Sequence, residues 1–262
     1  MQDTRCKMQD IIESEKVKGH LTAKFIGSEI FLFDKVESTN DTAKDLAIKD
    51  CKEGAVVIAD SQSKGRGRLG RRWESPSGAG IYLSIILKPK NIMPQLTLVG
   101  GVSVAEAIQH ICAGLVSLKW PNDININGKK AGGILTEGIS KGKIVIVGIG
   151  INVNTELSMF TNELKDKATS IMIETGKRVD RNLLIAELLN RFEYWYEKFM
   201  EGGETVIKRW RELSDTSGRR VKVNVGDRVY EGIAKVLDNN GSLMLRLDDG
   251  SIKKISAGEV CY

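Results

Sequence analysis

The sequence predicts an α+β fold: a mixed, largely antiparallel sheet with helices on one face, followed by a small C-terminal β-barrel domain. Three observations predict it. Short apolar runs divided by turn residues recur through residues 29–153, the texture of paired strands. Two longer segments, 96–115 and 183–200, space their apolar residues as helices do. After Leu213 the chain breaks into short strand-like runs punctuated by glycine turns, the pattern of a compact all-β unit.

Taken in order, residues 5–18 predict a short polar helix, and residues 29–36 predict a strand entering the main domain. The boundaries this implies are a helical segment or linker over 1–27, a main domain over 28–213 and the β domain over 214–262. Ser38-Thr39-Asn40-Asp41 starts a helix, with Ser38 as N-cap and Asp41 three residues on. Ala43, Leu46 and Ala47 continue it at helical spacing. An apolar strand over 55–60 runs into a basic loop, and a second over 81–87 leaves it. The segment 96–115, with Val99, Val102, Ile108 and Ile111, is apolar enough to be a central packing helix buried against the sheet. Strands over 116–120, 124–127, 131–138 and 143–153 follow, and Asn127-Gly128 is a strong hairpin signal. Phe192, Trp195, Tyr196 and Phe199 on the helix over 183–200 predict core or domain packing. The β domain is read as strands over 221–225, 228–237, 242–247 and 251–255.

Composition bounds the chemistry. The chain has 262 residues and is 41% hydrophobic, which gives it room for a sizeable core. Its 39 basic and 34 acidic residues leave a net charge of +5, an imbalance that favours anionic ligands without naming one. Cys6, Cys51, Cys112 and Cys261 form no Cys-x-x-Cys pair, so neither a zinc site nor a disulfide framework is expected. With His20 and His110 as the only histidines, a His-based triad or multi-His metal centre is improbable. No apolar run approaches membrane-spanning length. A cytoplasmic location is therefore expected.

Three stretches carry chemistry. Residues 61–73, Ser-Gln-Ser-Lys-Gly-Arg-Gly-Arg-Leu-Gly-Arg-Arg-Trp, set cations among glycines and close on an aromatic. Glycine permits close backbone approach, and arginine presents a donor fork matched to carboxylate and phosphate. The stretch reads either as an anion-binding loop or as a solvated basic turn or nucleic-acid-binding segment. Lys119-Trp120-Pro121-Asn122-Asp123 stops a strand with proline and leaves a cation, an amide and a carboxylate at one sheet edge. Lys129-Lys130 precedes Ala131-Gly132-Gly133, where missing side chains would let a ligand lie against the strand, and Gly150-Ile151-Asn152 ends the next strand similarly.

Together these pieces resemble the biotin protein ligases. The resemblance rests on Ser38-Thr39-Asn40, on Gln62 followed by Gly65-Arg66-Gly67-Arg68-Leu69-Gly70-Arg71-Arg72-Trp73, on Lys119-Trp120-Pro121-Asn122-Asp123, on Lys130-Ala131-Gly132-Gly133-Ile134-Leu135, and on Gly148-Ile149-Gly150-Ile151-Asn152-Val153. These motifs fall in the family's order and span roughly residues 25–262. The resemblance implies a fold related to class II aminoacyl-tRNA synthetases, without a P-loop. It also implies an enzyme that adenylates biotin with ATP and passes it to a lysine of a biotin carboxyl carrier protein or domain of a carboxylase.

By the same resemblance Ser38, Thr39, Asn40 and Gln62 hold the ureido ring, with backbone contacts from Arg66 and Gly67. Arg68 and Lys130 hold the biotin carboxylate. Lys119, helped by Arg71, stabilises charge at the α-phosphate, and Asn122, Asp123 and Asn152 lie on the nucleotide side. Trp73 covers the ligand as the loop over 64–73 orders. Mg²⁺ bridging the phosphates and a homodimer are implied as well.

Other readings remain beside it. A lipoate ligase shares the fold and the adenylation step, although the Gly-Arg-Gly-Arg loop and Lys-Trp-Pro-Asn-Asp favour biotin. A biotin-responsive repressor would need an N-terminal helix-turn-helix domain, and the roughly thirty residues ahead of the catalytic motifs are fewer than one requires, with residues 1–24 read as its remnant or linker. The resemblance is thus to the form lacking that domain, and DNA binding is not expected. A non-catalytic biotin-binding protein is disfavoured by the presence of Lys119, Arg68 and Lys130.

Overall fold

Residues 11–89, 95–111, 116–140 and 143–262 are described in the structure, a computed structural model. The main domain runs α1 (Ser14–Gly19), β1 (Ile30–Val36), α2 (Thr39–Ile48), β2 (Val56–Gln62), β3 (Gly80–Leu87), α3 (Leu96–Ile111), β4 (Val116–Lys119), β5 (Asp123–Ile126), β6 (Lys129–Ile139), β7 (Ile144–Asn152), α4 (Ile171–Thr175), α5 (Arg181–Met200) and α6 (Glu204–Leu213). Its sheet is ordered β1-β2-β3-β7-β6-β5-β4. Only the β1–β2 pair is parallel; the others are antiparallel. The mixed sheet with helices is the architecture the sequence predicts.

The side-chain period of two decides what each face does. Along β7, Val145, Val147, Ile149 and Ile151 enter the main core with Val99 and Val102 of α3 and Leu188 and Phe192 of α5. The intervening positions face the other way. There Ile146 packs with Val57 and Ile86 against Ala43 and Ala47 of α2. The long helices α3 and α5 therefore share one face as expected, whereas the short α2 lies on the opposite one. Its small alanines let it ride close to the strands, and each fully buried Val or Ile beneath it contributes about 1.5–3 kcal/mol. Beyond Ile146, β7 shows Gly148 and Gly150 on that face, the first beneath Asn40 in the opening turn of α2.

The segment before β1 is fastened to α5. Buried Glu193 accepts the backbone N–H groups of Lys24, Phe25 and Ile26 at 2.5, 2.8 and 2.8 Å. Glu193→Ala leaves these donors unpaired. It is expected to destabilise the fold by about 2–3 kcal/mol, read as a lower urea midpoint with an unchanged slope.

The C-terminal domain comprises β8 (Arg220–Val225), β9 (Arg228–Leu237), β10 (Leu243–Arg246), β11 (Ile252–Ile255) and β12 (Glu259–Cys261). They form an antiparallel sheet in the order β11-β10-β9-β8-β12. The sequence reading missed α4, α6 and β12. For α6 the signal was present: Val206, Ile207, Trp210 and Leu213 are its buried residues, at helical spacing. The expected helix over 5–18 is observed as Ser14–Gly19, and residues 5–10 lie outside the described residues, as do Cys6, Cys112 and the expected helical residues 112–115.

Candidate active site

Every candidate residue named from the sequence lines one cavity of about 570 Å³: Ser38, Thr39, Asn40, Gln62, Arg66, Gly67, Arg68, Arg71, Trp73, Lys119, Asn122, Asp123, Lys130 and Asn152. The cavity stands on the face of the sheet opposite α3 and α5, over the glycines of β6 and β7.

At one end the start of α2 is built for polar recognition. Ser38 is the N-cap in extended conformation, yet its side chain makes no cap hydrogen bond. Asp41, expected to act with it, turns instead to Arg66, whose Nη1 and Nη2 both donate to it, the latter at 2.6 Å. The Arg66 hydrogen bond holds the Asp41 carboxyl below its ordinary value. Thr39 donates to Gln62 Oε1 through its backbone N–H at 2.8 Å and its hydroxyl at 3.2 Å, while Gln62 Nε2 donates to Ser75 Oγ. Buried Ser84 Oγ lies below, 2.8 Å from Thr39 Oγ1 and 2.6 Å from Asn40 Oδ1, and its single hydrogen goes to Asn40 Oδ1, which can only accept.

At the other end lie the cations. Lys119 closes β4, its Nζ 4.7 Å from the centroid of the Tyr262 ring. Tyr262 Oη donates to Asp215 Oδ1 at 2.5 Å. Burial, with that bond, pushes the phenol up. Lys130 Nζ is 2.5 Å from Asp123 Oδ1. Arg68 donates to Asn122 Oδ1 at 3.1 Å, and burial lowers its guanidinium. Arg71, expected beside the phosphate, instead donates from Nη1 and Nη2 to Glu259 of β12. Asn152 donates to Thr169 O at 3.0 Å and so braces the segment that follows β7.

Between the two ends, the glycines do not leave bare floor as the sequence reading supposed. Trp73 lies against Gly150 and Gly133: a Cβ on Gly150 would stand 2.6 Å from Trp73 Cε2, and one on Gly133 3.6 Å from Cζ3. Asn40 covers Gly148, whose Cβ would stand 2.1 Å from Oδ1. The missing side chains accommodate Asn40 and Trp73. Trp73 Nε1 is buried with no acceptor.

Sequence reasoning missed Glu259 and Tyr262, which the C-terminal domain supplies, and Phe160, Leu164 and Asp166 from the segment after β7. It also missed Glu137, which lies behind the wall and accepts from Asn40 Nδ2 at 2.6 Å and Lys44 Nζ at 2.7 Å.

The Arg71–Glu259 pair ties the basic loop to the second domain and sets a pH dependence. The Arg71 hydrogen bond holds the Glu259 carboxyl below its ordinary value of 4.5. A depressed folded-state pKa contributes stability that is present above 4.5 and disappears as pH falls through the folded value. The melting-temperature difference between the wild type and Glu259→Gln is therefore expected to be constant at pH values above 4.5 and to shrink as the pH falls below it.

Residues 32–154 match the Biotin/lipoate A/B protein ligase family, and residues 216–261 match the Biotin protein ligase C terminal domain. The bifunctional ligase/repressor BirA of Bacillus subtilis is 37% identical over 256 residues, covering 95% of this chain and 78% of that protein.

The chain belongs to the biotin protein ligase family.

It is a biotin ligase enzyme by that membership. The biotin protein ligase from Aquifex aeolicus, solved in complex with biotin and ATP, is 36% identical and superposes with a TM-score of 0.79 over 89% of this chain and 98% of that one. The biotin–[acetyl-CoA-carboxylase] ligase of Mycobacterium tuberculosis is 31% identical over 241 residues, covering 87% of this chain and 88% of that one. The ligase cavity thus joins residues of both matched domains.

Proposed function

We propose that the chain forms biotinyl-5′-AMP from biotin and ATP and transfers the biotinyl group to a lysine of a biotin carboxyl carrier protein or carboxylase domain. The carrying observation is the polarity of the cavity: neutral hydrogen-bonding groups at the start of α2 face a group of cations across the glycines of β6 and β7. A urea ring needs the first, and a carboxylate meeting a triphosphate needs the second.

In this reading Ser38, Thr39, Asn40 and Gln62 satisfy the ureido ring, which would otherwise be buried with unpaired groups. Arg66 and Gly67 contribute through the loop backbone, since the Arg66 side chain is engaged by Asp41. Arg68 and Lys130 draw the carboxylate toward the α-phosphate. The carboxylate oxygen attacks phosphorus, the P–O bond to pyrophosphate breaks, and Lys119 meets the charge that develops there. Such a fixed cation stabilises the transition state more than the ground state. Asn122, Asp123 and Asn152 border the nucleotide. Arg71 acts on the loop through Glu259, and Trp73 covers the anhydride, with an acceptor on the ligand for its unpaired N–H. A loop over 64–73 that closes in this way keeps water from the mixed anhydride. The carrier amine then attacks the carbonyl and AMP leaves.

Among the described residues no group of three or more His, Cys, Asp or Glu is arranged to hold a metal. Asp123 and Glu259 are the carboxylates at the cation end of the cavity, and both are paired, with Lys130 and Arg71. A Mg²⁺ would therefore be brought by the nucleotide, and would supply neutralisation of phosphate charge.

No helix among the described residues is long and apolar enough to cross a membrane, and we place the reaction in the cytoplasm. Some relatives are named ligase/repressor; ligation is the activity carried over here, because it is the one that the cavity residues bear on. The exposed edge strand β1 offers a surface for a homodimer.

The test is biotin-dependent exchange of labelled pyrophosphate into ATP, with lipoate as the competing acid, followed by transfer to a carrier domain. Exchange with biotin and labelling of the carrier are expected. Exchange with lipoate alone would reassign the substrate, and exchange with neither would overturn the adenylation reading.

A further inference from the structure

We propose that Glu137 is a positioning residue that fixes the orientation of the Asn40 amide, so that the cavity presents an acceptor there and selects an acid whose ring carries an N–H. The proposal deepens the assignment of the α2 start to ring recognition and rests on it.

A carboxamide has nearly the same shape either way round, so its neighbours decide which end faces a ligand. Two neighbours of Asn40 can only accept. Nδ2 donates to Glu137 Oε2 at 2.6 Å and to Leu135 O at 3.3 Å, which uses both of its hydrogens. Oδ1 is thereby turned to the other side, over Gly148, where Ser84 Oγ donates to it at 2.6 Å. A carbonyl oxygen has two acceptor positions. Ser84 takes one from beneath, and the second remains for a donor in the cavity that Asn40 and Gly148 both line.

Glu137 is suited to dictate this. Its other oxygen, Oε1, is anchored by Lys44 Nζ at 2.7 Å, and Arg66 Nη2 stands 3.6 Å from Oε2. Burial pushes its carboxyl up, but the hydrogen bonds from Lys44 and Asn40 together with the charges of Lys44 and Arg66 outweigh burial and leave it below the ordinary value. It is an ionised, acceptor-only group. Ser84 could not do the same, because a hydroxyl donates or accepts as required.

The test uses Glu137→Gln. With Lys44 holding the glutamine oxygen, its amide donor faces Asn40 and forces Asn40 to turn, so that Nδ2 confronts the ligand N–H. The substrates are biotin and the two cyclic carbamates in which one or the other ureido N–H is replaced by a ring oxygen. Wild type is expected to prefer biotin over at least one carbamate by about 10–100-fold in kcat/KM. In Glu137→Gln the KM for biotin should rise about 10–100-fold, the KM for ATP should hold, and the preference should collapse.

The exchanged pair Asn40→Asp with Glu137→Gln keeps one carboxylate and one amide and again turns an acceptor toward the ligand. It should recover the preference, and it serves as the deciding variant if Glu137→Gln alone does not fold. A Glu137→Gln enzyme with the wild-type preference, or an exchanged pair without it, would overturn the proposal while leaving biotin adenylation intact. Absence of biotin-dependent exchange in the wild type would overturn both.

Discussion

Lys119→Ala is expected to lower biotin-dependent pyrophosphate exchange by about 10²–10³-fold, the effect of removing one preorganised donor from a developing oxyanion. Biotin binding, measured by titration calorimetry without ATP, should stay within about threefold. The separation follows from position. Lys119 ends β4 at the cation side of the cavity, whereas the groups assigned to the ring stand at the start of α2 and the end of β2. Among the described residues no ion pair occupies the Lys119 ammonium; it rests over the Tyr262 ring, which orders it without neutralising it. Its charge is therefore directed at whatever anion enters. Equal loss of biotin affinity and exchange would place Lys119 on the carboxylate, and unchanged turnover would remove it from the reaction.

Gly148→Ala should abolish biotin binding while the chain still folds, a loss of at least about 100-fold in affinity. The new methyl would stand 2.1 Å from Asn40 Oδ1 and 2.8 Å from Cγ. Asn40 cannot yield without breaking its bonds to Glu137, Leu135 and Ser84. The penalty falls on recognition rather than on the core, because position 148 faces away from α3 and α5. Gly19→Ala is the matching control, since nothing lies within 4 Å of a Cβ there. Biotin titration together with circular dichroism checks it. A variant that binds as well as the wild type would show that Asn40 is not part of the ring site.

The candidate residues were legible because chain continuity groups them. Ser38-Thr39-Asn40 and Lys119 to Asp123 each stand together at the end of a strand, where side-chain chemistry is not hidden by a packing period. The alternation of β7 was legible too, although what lay on its glycines was not. Trp73 and Asn40 reach Gly150 and Gly148 from more than seventy residues away in sequence, a count read from their numbers, and no local pattern announces that approach. Glu259 and Tyr262 escaped for a related reason. They lie on and just after a three-residue strand in a different domain, and their value to the site depends on how that domain docks. Glu137 looked like one more charged residue in a strand; only the register places it behind Asn40. The capping role given to Asp41 failed because Arg66 offers a charged partner that a backbone N–H cannot match.

The central position of β7 has a consequence for how such a protein can change. On one side of it lie β1 to β3 with the start of α2, where we propose that the ring of the acid is read; on the other lie β4 to β6, which bring Lys119, Asn122 and Asp123 to the proposed nucleotide end but also carry Lys130 and Glu137. The basic loop reaches across, laying Trp73 over the seam and Arg68 on Asn122, and Asn40 and Lys44 of α2 cross to Glu137 of β6. Acid preference is then coupled across β7, since Glu137 of β6 holds Asn40, and a change in one half has to suit the other. Positions 148 and 150 have to stay glycine, since Asn40 and Trp73 occupy the space that a Cβ would take there.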